Sequence, residues 1–210
     1  MPENPDTKIA GKKTVADWQA LKPTLELALS ADPALWKKVF DEFFRARLKA
    51  RYFDPIDTLR TKRRYRGEGF SIVALQCSLV EYLAASLKGE SYRSVSDKLL
   101  GGHEYNRSGV MFSAFLASEE PFKKYFSQAL ADEFYSDVRC ALLHEARTRN
   151  GWRIRLAKQS GLAIDAANKV ICPESLQKLF SEYVNIYRER VAHERPVQEA
   201  FIRKFDSLCQ

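Results

Sequence analysis

Apolar residues recur at three- and four-residue steps through most of this 210-residue chain, the repeat of amphipathic α-helices. Thr14 with Asp17 predicts a capping-box start for a first helix, which Pro23 kinks or divides. Asp32-Pro33, an acidic N-cap followed by proline at the first helical position, starts a second. Its stripe runs through Leu35, Trp36, Val39, Phe40, Phe43, Phe44 and Leu48, with Lys37, Lys38, Arg45, Arg47 and Lys49 toward water. Asp54-Pro55 repeats the device for a short helix ending near Arg60. The strongest helix spans 68–88 and stops at Gly89; Phe70, Ile72, Val73, Leu75, Leu79, Val80, Leu83 and Leu87 cover most of its circumference, which places it at the centre of a bundle. Gln76, Glu81 and several serines interrupt it, as in a core helix and unlike a membrane span.

A short helix over 91–99 is expected before a flexible joint at Gly101-Gly102. Helices follow over 107–117 and 119–130, with Ser118 as the cap between them. Another begins near Asp132, carries Phe134, Val138, Ala141 and Leu142 on one stripe, and ends at Asn150-Gly151, residue types that tolerate left-handed backbone. The period then falls to two: Trp152, Ile154 and Leu156 alternate with Arg153 and Arg155. Leu162 with Ile164, and Val170 with Ile171, supply partner strands, with turns at Gly161 and Ala167-Asn168. Two helices close the chain, Pro173 to about Ala192 and Pro196 to Leu208.

The fold class expected is therefore mainly α: a multi-helix bundle with a small β-hairpin or three-stranded insert around 152–172. Residues 1–13 read as a flexible tail, 14–62 as a helical extension packed on the bundle, and 63–210 as the main domain. Hydrophobic content of 45% and charged content of 29% are those of a globular protein. Cys77, Cys140, Cys172 and Cys209 are scattered and form no metal-ligand spacing. The first residues show no secretory signal, so a reduced, cytoplasmic protein that binds no membrane is expected. The formal charge of +7 points to an acidic partner, and nucleic acid is the commonest. Five basic residues between Arg60 and Arg66 make a solvated loop or a phosphate-contacting patch, with Tyr65 available to stack on a base.

The stretch 137–152, DVRCALLHEARTRNGW, carries the candidate chemistry. Arg139 and His144 stand five apart at a helix end. On a regular helix that is about 7.5 Å of rise and about 140° of rotation, so one copy makes a poor compact site. Two copies about a two-fold axis bring duplicate arginines and histidines into one cleft. Such a cleft suits RNA cleavage without metal or other cofactor. Histidine takes the proton of a ribose 2′-hydroxyl or returns one to the leaving oxygen, and arginine steadies the phosphate charge. Arg147, Arg149, Arg153 and Arg155, with Trp152, are placed to line the RNA strand. Glu81, an acid on an apolar helix, is paired, reaches an edge, or orients the arginine or histidine; Glu145 is a second supporting acid. Spacing alone does not single out this pair, because Arg188 and His193 match it too. His103 reads as a loop residue.

The arginine-to-histidine helix end within DVRCALLHEARTRNGW, in an otherwise helical protein, resembles the signature of the HEPN superfamily, over about residues 66–195. The resemblance implies an α-helical bundle that dimerises. It also implies a metal-independent endoribonuclease of toxin–antitoxin, abortive-infection or antiviral systems, with an antitoxin or regulatory protein as a possible partner. The family motif, arginine, four to six residues, then histidine, maps onto Arg139 and His144, leaving Arg188/His193 as the decoy. Cys140 departs from the pattern, since active members commonly carry a polar residue there. The alternative is a catalytically inactive HEPN-like module that binds RNA, nucleotide or a protein partner. A DNA-binding regulator is less favoured, because no clear helix-turn-helix is visible.

Overall fold

The computed structural model describes residues 4–62, 67–156 and 161–210, and it is mainly helical with a few short strands. Arg63, Arg64, Tyr65 and Arg66, most of the basic run, lie outside the described residues. The chain divides into two compact units, Met1–Asp54 with Ala85–Asn106 and Val184–Gln210, and Pro55–Ala84 with Arg107–Tyr183. The stretch 14–62, expected as an extension, thus contributes to each.

In the first unit, β1 (Lys8–Ala10) pairs antiparallel with β2 (Lys13–Thr14), inside the stretch expected to be a loose tail. Ile9 and Ala10 are buried, and the Arg47 guanidinium donates to the Ile9 carbonyl, so both side chain and backbone tie the hairpin down. Thr14 then caps α1 (Val15–Leu27): its amide donates to Asp17 Oδ2 at 2.8 Å while Asp17 N donates back to Thr14 Oγ1 at 3.3 Å. Pro23 does not divide this helix. Asp32 caps α2, residues 33–62, by accepting from Leu35 N at 2.9 Å. Asp54-Pro55 is no second start, because the backbone stays helical through it. Wider i→i+5 turns cover Phe40–Arg45 and Lys49–Phe53, the second immediately upstream of the proline, where a missing N–H and a ring have to be accommodated.

The core of this unit is aromatic. Trp18 and Phe205 have ring centroids 4.8 Å apart, Phe44 and Tyr187 5.1 Å, and Trp36 and Phe201 6.3 Å, all fully buried. Each such side chain contributes on the order of 2–3 kcal/mol through area removed from water. The helix expected over 91–99 is absent. There β3 (Ser91–Tyr92) pairs in parallel with β4 (Glu104–Tyr105), and a single 3₁₀ turn spans Asp97–Leu99. Glu104 accounts for the difference: it accepts from Gly101 N at 2.7 Å and from Arg93 Nη1 at 3.0 Å, fastening the Gly101-Gly102 loop against β3.

In the second unit, α3 (Glu68–Lys88, in this unit up to Ala84) is accompanied by α4 (Ser108–Ser118), α5 (residues 128–145) and the start of α6 (Pro173–His193). α3 is long and apolar enough to cross a membrane by length and composition, but Ile72, Val73, Leu79, Val80 and Leu83 are buried in protein. Gln76, fully buried, donates to Pro173 O at 2.9 Å and Gln177 Oε1 at 3.1 Å. The helix expected over 119–130 is a 3₁₀ turn (Phe122–Lys124) after a cis Glu120-Pro121 bond. Ser127, not Ser118, is the cap, accepting from Leu130 N at 3.2 Å. Phe112, Phe126 and Trp152 surround Phe134 at 6.2, 5.3 and 5.5 Å. The insert is three-stranded: β5 (Arg153–Ile154) runs parallel to β7 (Val170–Ile171), which pairs antiparallel with β6 (Ile164–Asp165). α7 (Arg195–Ser207) closes the chain in the first unit.

Candidate functional site

The motif lies on α5, whose course differs from a regular helix at both ends of the site. Residues Tyr135–Cys140 form wide i→i+5 turns, so the rotation of a regular helix does not apply across the whole motif. The helix ends at Glu145 because Ala146 adopts a left-handed conformation, φ 53°, five residues before the expected stop. The Asn150-Gly151 signal belongs instead to a β-turn. Both residues have positive φ, 49° and 84°, and Trp152 N donates to Arg149 O at 3.0 Å. Asp137 docks this turn on the helix: its carbonyl accepts from Arg149 N at 2.8 Å, and its Oδ2 accepts from Asn150 Nδ2 at 2.9 Å.

Arg139 is held from two sides within the second unit. Its Nη2 donates to Glu81 Oε2 at 3.2 Å, and the two side chains are only 21% and 18% exposed. The other carboxylate oxygen of Glu81 accepts from Ser108 Oγ at 2.6 Å. The guanidinium also sits over the Tyr135 ring, 5.2 Å from its centroid, a cation–π arrangement. Gly109 makes room for that ring, since a Cβ there would stand 2.8 Å from Tyr135 Cε1. Burial opposes the charged form of Arg139, yet Tyr135 and Glu81 outweigh it and hold the guanidinium's pKa above its ordinary value. Burial in turn raises the Tyr135 phenol, against the Arg139 charge. Behind them, burial pushes the Cys77 thiol up to about 12.

His144 is exposed on the last turn of α5, and among the described residues its imidazole has no hydrogen-bond or ion-pair partner. Beside it in sequence Leu143 is 57% exposed, an apolar side chain standing in water. The left-handed Ala146 turns the chain back on Glu145, whose carboxylate is taken by Arg147 Nε at 2.8 Å and by the Arg149 guanidinium. Arg147, Arg149 and Arg153 line an open depression of 710 Å³ with Thr148, Asn150 and Gly151. Arg153 is exposed and donates from Nη2 to Asn168 O at 3.1 Å; Arg155 is half-buried, its amide bonded to Ile171 O at 2.9 Å.

Trp152 does not serve as an exposed stacking platform. It is 3% exposed, its Nε1 donates to Glu133 Oε1 at 2.9 Å, and its ring packs edge-on against Phe134. Its place in the apolar/basic alternation marks the core-facing side of β5. The second Arg/His pair sits in an ion network of the first unit. Arg188 grips Asp41 through Nε and Nη2, the latter at 2.7 Å, and His193 Nδ1 lies 2.8 Å from the Glu189 carbonyl. His103 is an exposed loop residue whose carbonyl accepts from Ser91 N.

Tyr135, Ser108 and Asp137 escaped the sequence reading. Tyr135 was legible as the aromatic four residues before Arg139, a spacing at which helical side chains meet; the other two carry no such signal. No cluster of metal-ligating side chains occurs among the described residues. Comparison with family models, with curated proteins and with solved structures yields no match.

Proposed function

We propose that the chain is a cytoplasmic, HEPN-like endoribonuclease that works as a homodimer without metal. The observation that carries this reading is the contrast within one short segment: Arg139 is fixed and half-buried by Glu81, while His144 stands free at the helix end. A phosphate-binding cation benefits from being held before substrate arrives. An acid–base imidazole has to reach a proton on the substrate. In the proposed reaction one imidazole accepts the ribose 2′-hydroxyl proton, the resulting oxygen attacks the adjacent phosphorus, and the 5′-oxygen leaves with a proton from a second imidazole. The bond to the 5′-oxygen breaks as the 2′-oxygen bond forms, giving a 2′,3′-cyclic phosphate and a 5′-hydroxyl. The exposed Leu143 supports a second copy covering this end of α5, which would supply the second imidazole. Arg147, Arg149, Arg153 and Arg155 contact the strand through its phosphates, without Trp152. A role in toxin–antitoxin, abortive-infection or antiviral defence, with an antitoxin or regulator, goes with the HEPN resemblance.

The reading is tested by incubating purified protein in EDTA with single-stranded RNA and with DNA of the same sequence. It predicts cleavage of RNA alone, with cyclic phosphate ends. Cleavage of both, or of neither, contradicts it.

A second reading, a catalytically silent module that binds RNA, nucleotide or a protein partner, is favoured by one observation: the Arg139 charge is already matched by Glu81 within its own chain. It predicts salt-sensitive RNA binding with no products.

A further inference from the structure

The two oxygens of the Glu145 carboxylate are held by two different guanidiniums: Arg147 Nε donates to Oε2, and Arg149 is paired with Oε1. This is the arrangement in which two arginines grip the paired non-bridging oxygens of a phosphodiester. The backbone dictates it. Ala146, at φ 53°, ends α5 and reverses the chain, so that residues two and four positions after Glu145 return to its carboxylate. Both arginines, with Arg153, line the open depression that begins three residues beyond His144. Arg147 and Arg149 remain 67% and 42% exposed at their side chains, so an incoming anion can reach them.

We infer that Glu145 occupies the seat of an RNA phosphate, and that the strand binds Arg147 and Arg149 only by displacing it. This deepens the ribonuclease reading and rests on it. The carboxylate acts as an internal competitor that lowers affinity for any polyanion. It leaves productive binding to strands whose further interactions, such as those at Arg153, offset the exchange. An exposed carboxylate–guanidinium pair is weak enough to be exchanged.

The test measures binding of a fluorescein-labelled, unstructured single-stranded RNA over a range of salt concentrations. All proteins carry His144→Ala so that no strand is cut. Glu145→Gln keeps the shape and removes the charge. It is expected to bind several-fold more tightly, with a steeper dependence of log Kd on log salt, by about 0.7 for each further phosphate neutralised. Adding Arg149→Gln to Glu145→Gln is expected to abolish the tighter binding. Binding of unchanged strength and slope in Glu145→Gln, or weaker binding, overturns the inference while leaving the ribonuclease reading in place. Absence of RNA binding in every protein overturns both.

Discussion

Arg139 Nη2 and Glu81 Oε2 meet at 3.2 Å across 58 positions of sequence, joining the motif helix to the long apolar helix α3. The pair explains why an acid is tolerated on α3. Both of its oxygens are bonded, one to Arg139 and one to Ser108, and a buried charge is costly only when unmatched. Glu81→Ala leaves Arg139 largely buried without its counter-charge. We expect a loss of about 1–3 kcal/mol, read from the denaturant midpoint. Under the ribonuclease reading, cleavage falls as well.

Gly109→Ala tests the seat of the same guanidinium from its other side. The added methyl meets the Tyr135 ring at 2.8 Å, so the ring and the Arg139 above it have to shift. A small stability loss, about 1–3 kcal/mol for overpacking, is expected with a larger fractional loss of RNA cleavage. Equal effects on both would show that Tyr135 only fills space.

Gly89→Ala is expected to be more damaging, with a loss above about 2 kcal/mol. Its φ is +67°, and a Cβ would lie 2.5 Å from the Ala200 carbonyl oxygen, which is backbone and cannot rotate away. Thermal unfolding of the purified variant checks this.

These positions show how unevenly the sequence discloses the structure. The helices over 68–88, 173–193 and 195–207 are written in apolar periodicity and in Gly89, Pro173 and Pro196. The hairpin over 8–14 is not, because two-residue strands are stabilised by burial of Ile9 and Ala10 and by Arg47, all distant information. The stop at Ala146 is equally silent, since alanine is the best helix former and its left-handed conformation is imposed by the Asp137-docked turn that follows. Asn150-Gly151 did signal left-handed backbone, but the reversal it makes is a β-turn. At the site, an acid on an apolar helix announced a pairing for Glu81, and the structure supplies Arg139. Trp152 misled because an aromatic among arginines reads as a base-stacking platform, whereas its alternation with Arg153 faces it to the core.

The anchoring of Trp152 should depend on pH in one direction. Hydrogen bonds from Lys169, then from Trp152, outweigh burial and hold the Glu133 pKa below its ordinary 4.5. A carboxylate lowered on folding contributes stability that is complete above its unfolded value and is lost as pH falls through the folded one. The Trp152 indole N–H resonance should therefore be unchanged from pH 7 to about 5 and move only below the ordinary carboxylate range. Glu133→Gln should remove that transition.

Thiol chemistry separates the four cysteines. Cys77, Cys172 and Cys209 are buried, and Cys77 is further disabled by its raised pKa, whereas Cys140 is half-exposed. The native protein is expected to present one fast-reacting thiol to a disulfide reagent at pH 8, and Cys140→Ser to remove it. Several fast thiols would contradict this burial pattern.

The most direct measurement is the single-turnover rate of RNA cleavage in EDTA by the native chain and by His144→Ala, whose exposed side chain carries no packing. A fall of at least about 100-fold is expected, the scale of general acid–base catalysis, with the melting temperature unchanged. Cleavage by His144→Ala at the native rate contradicts it.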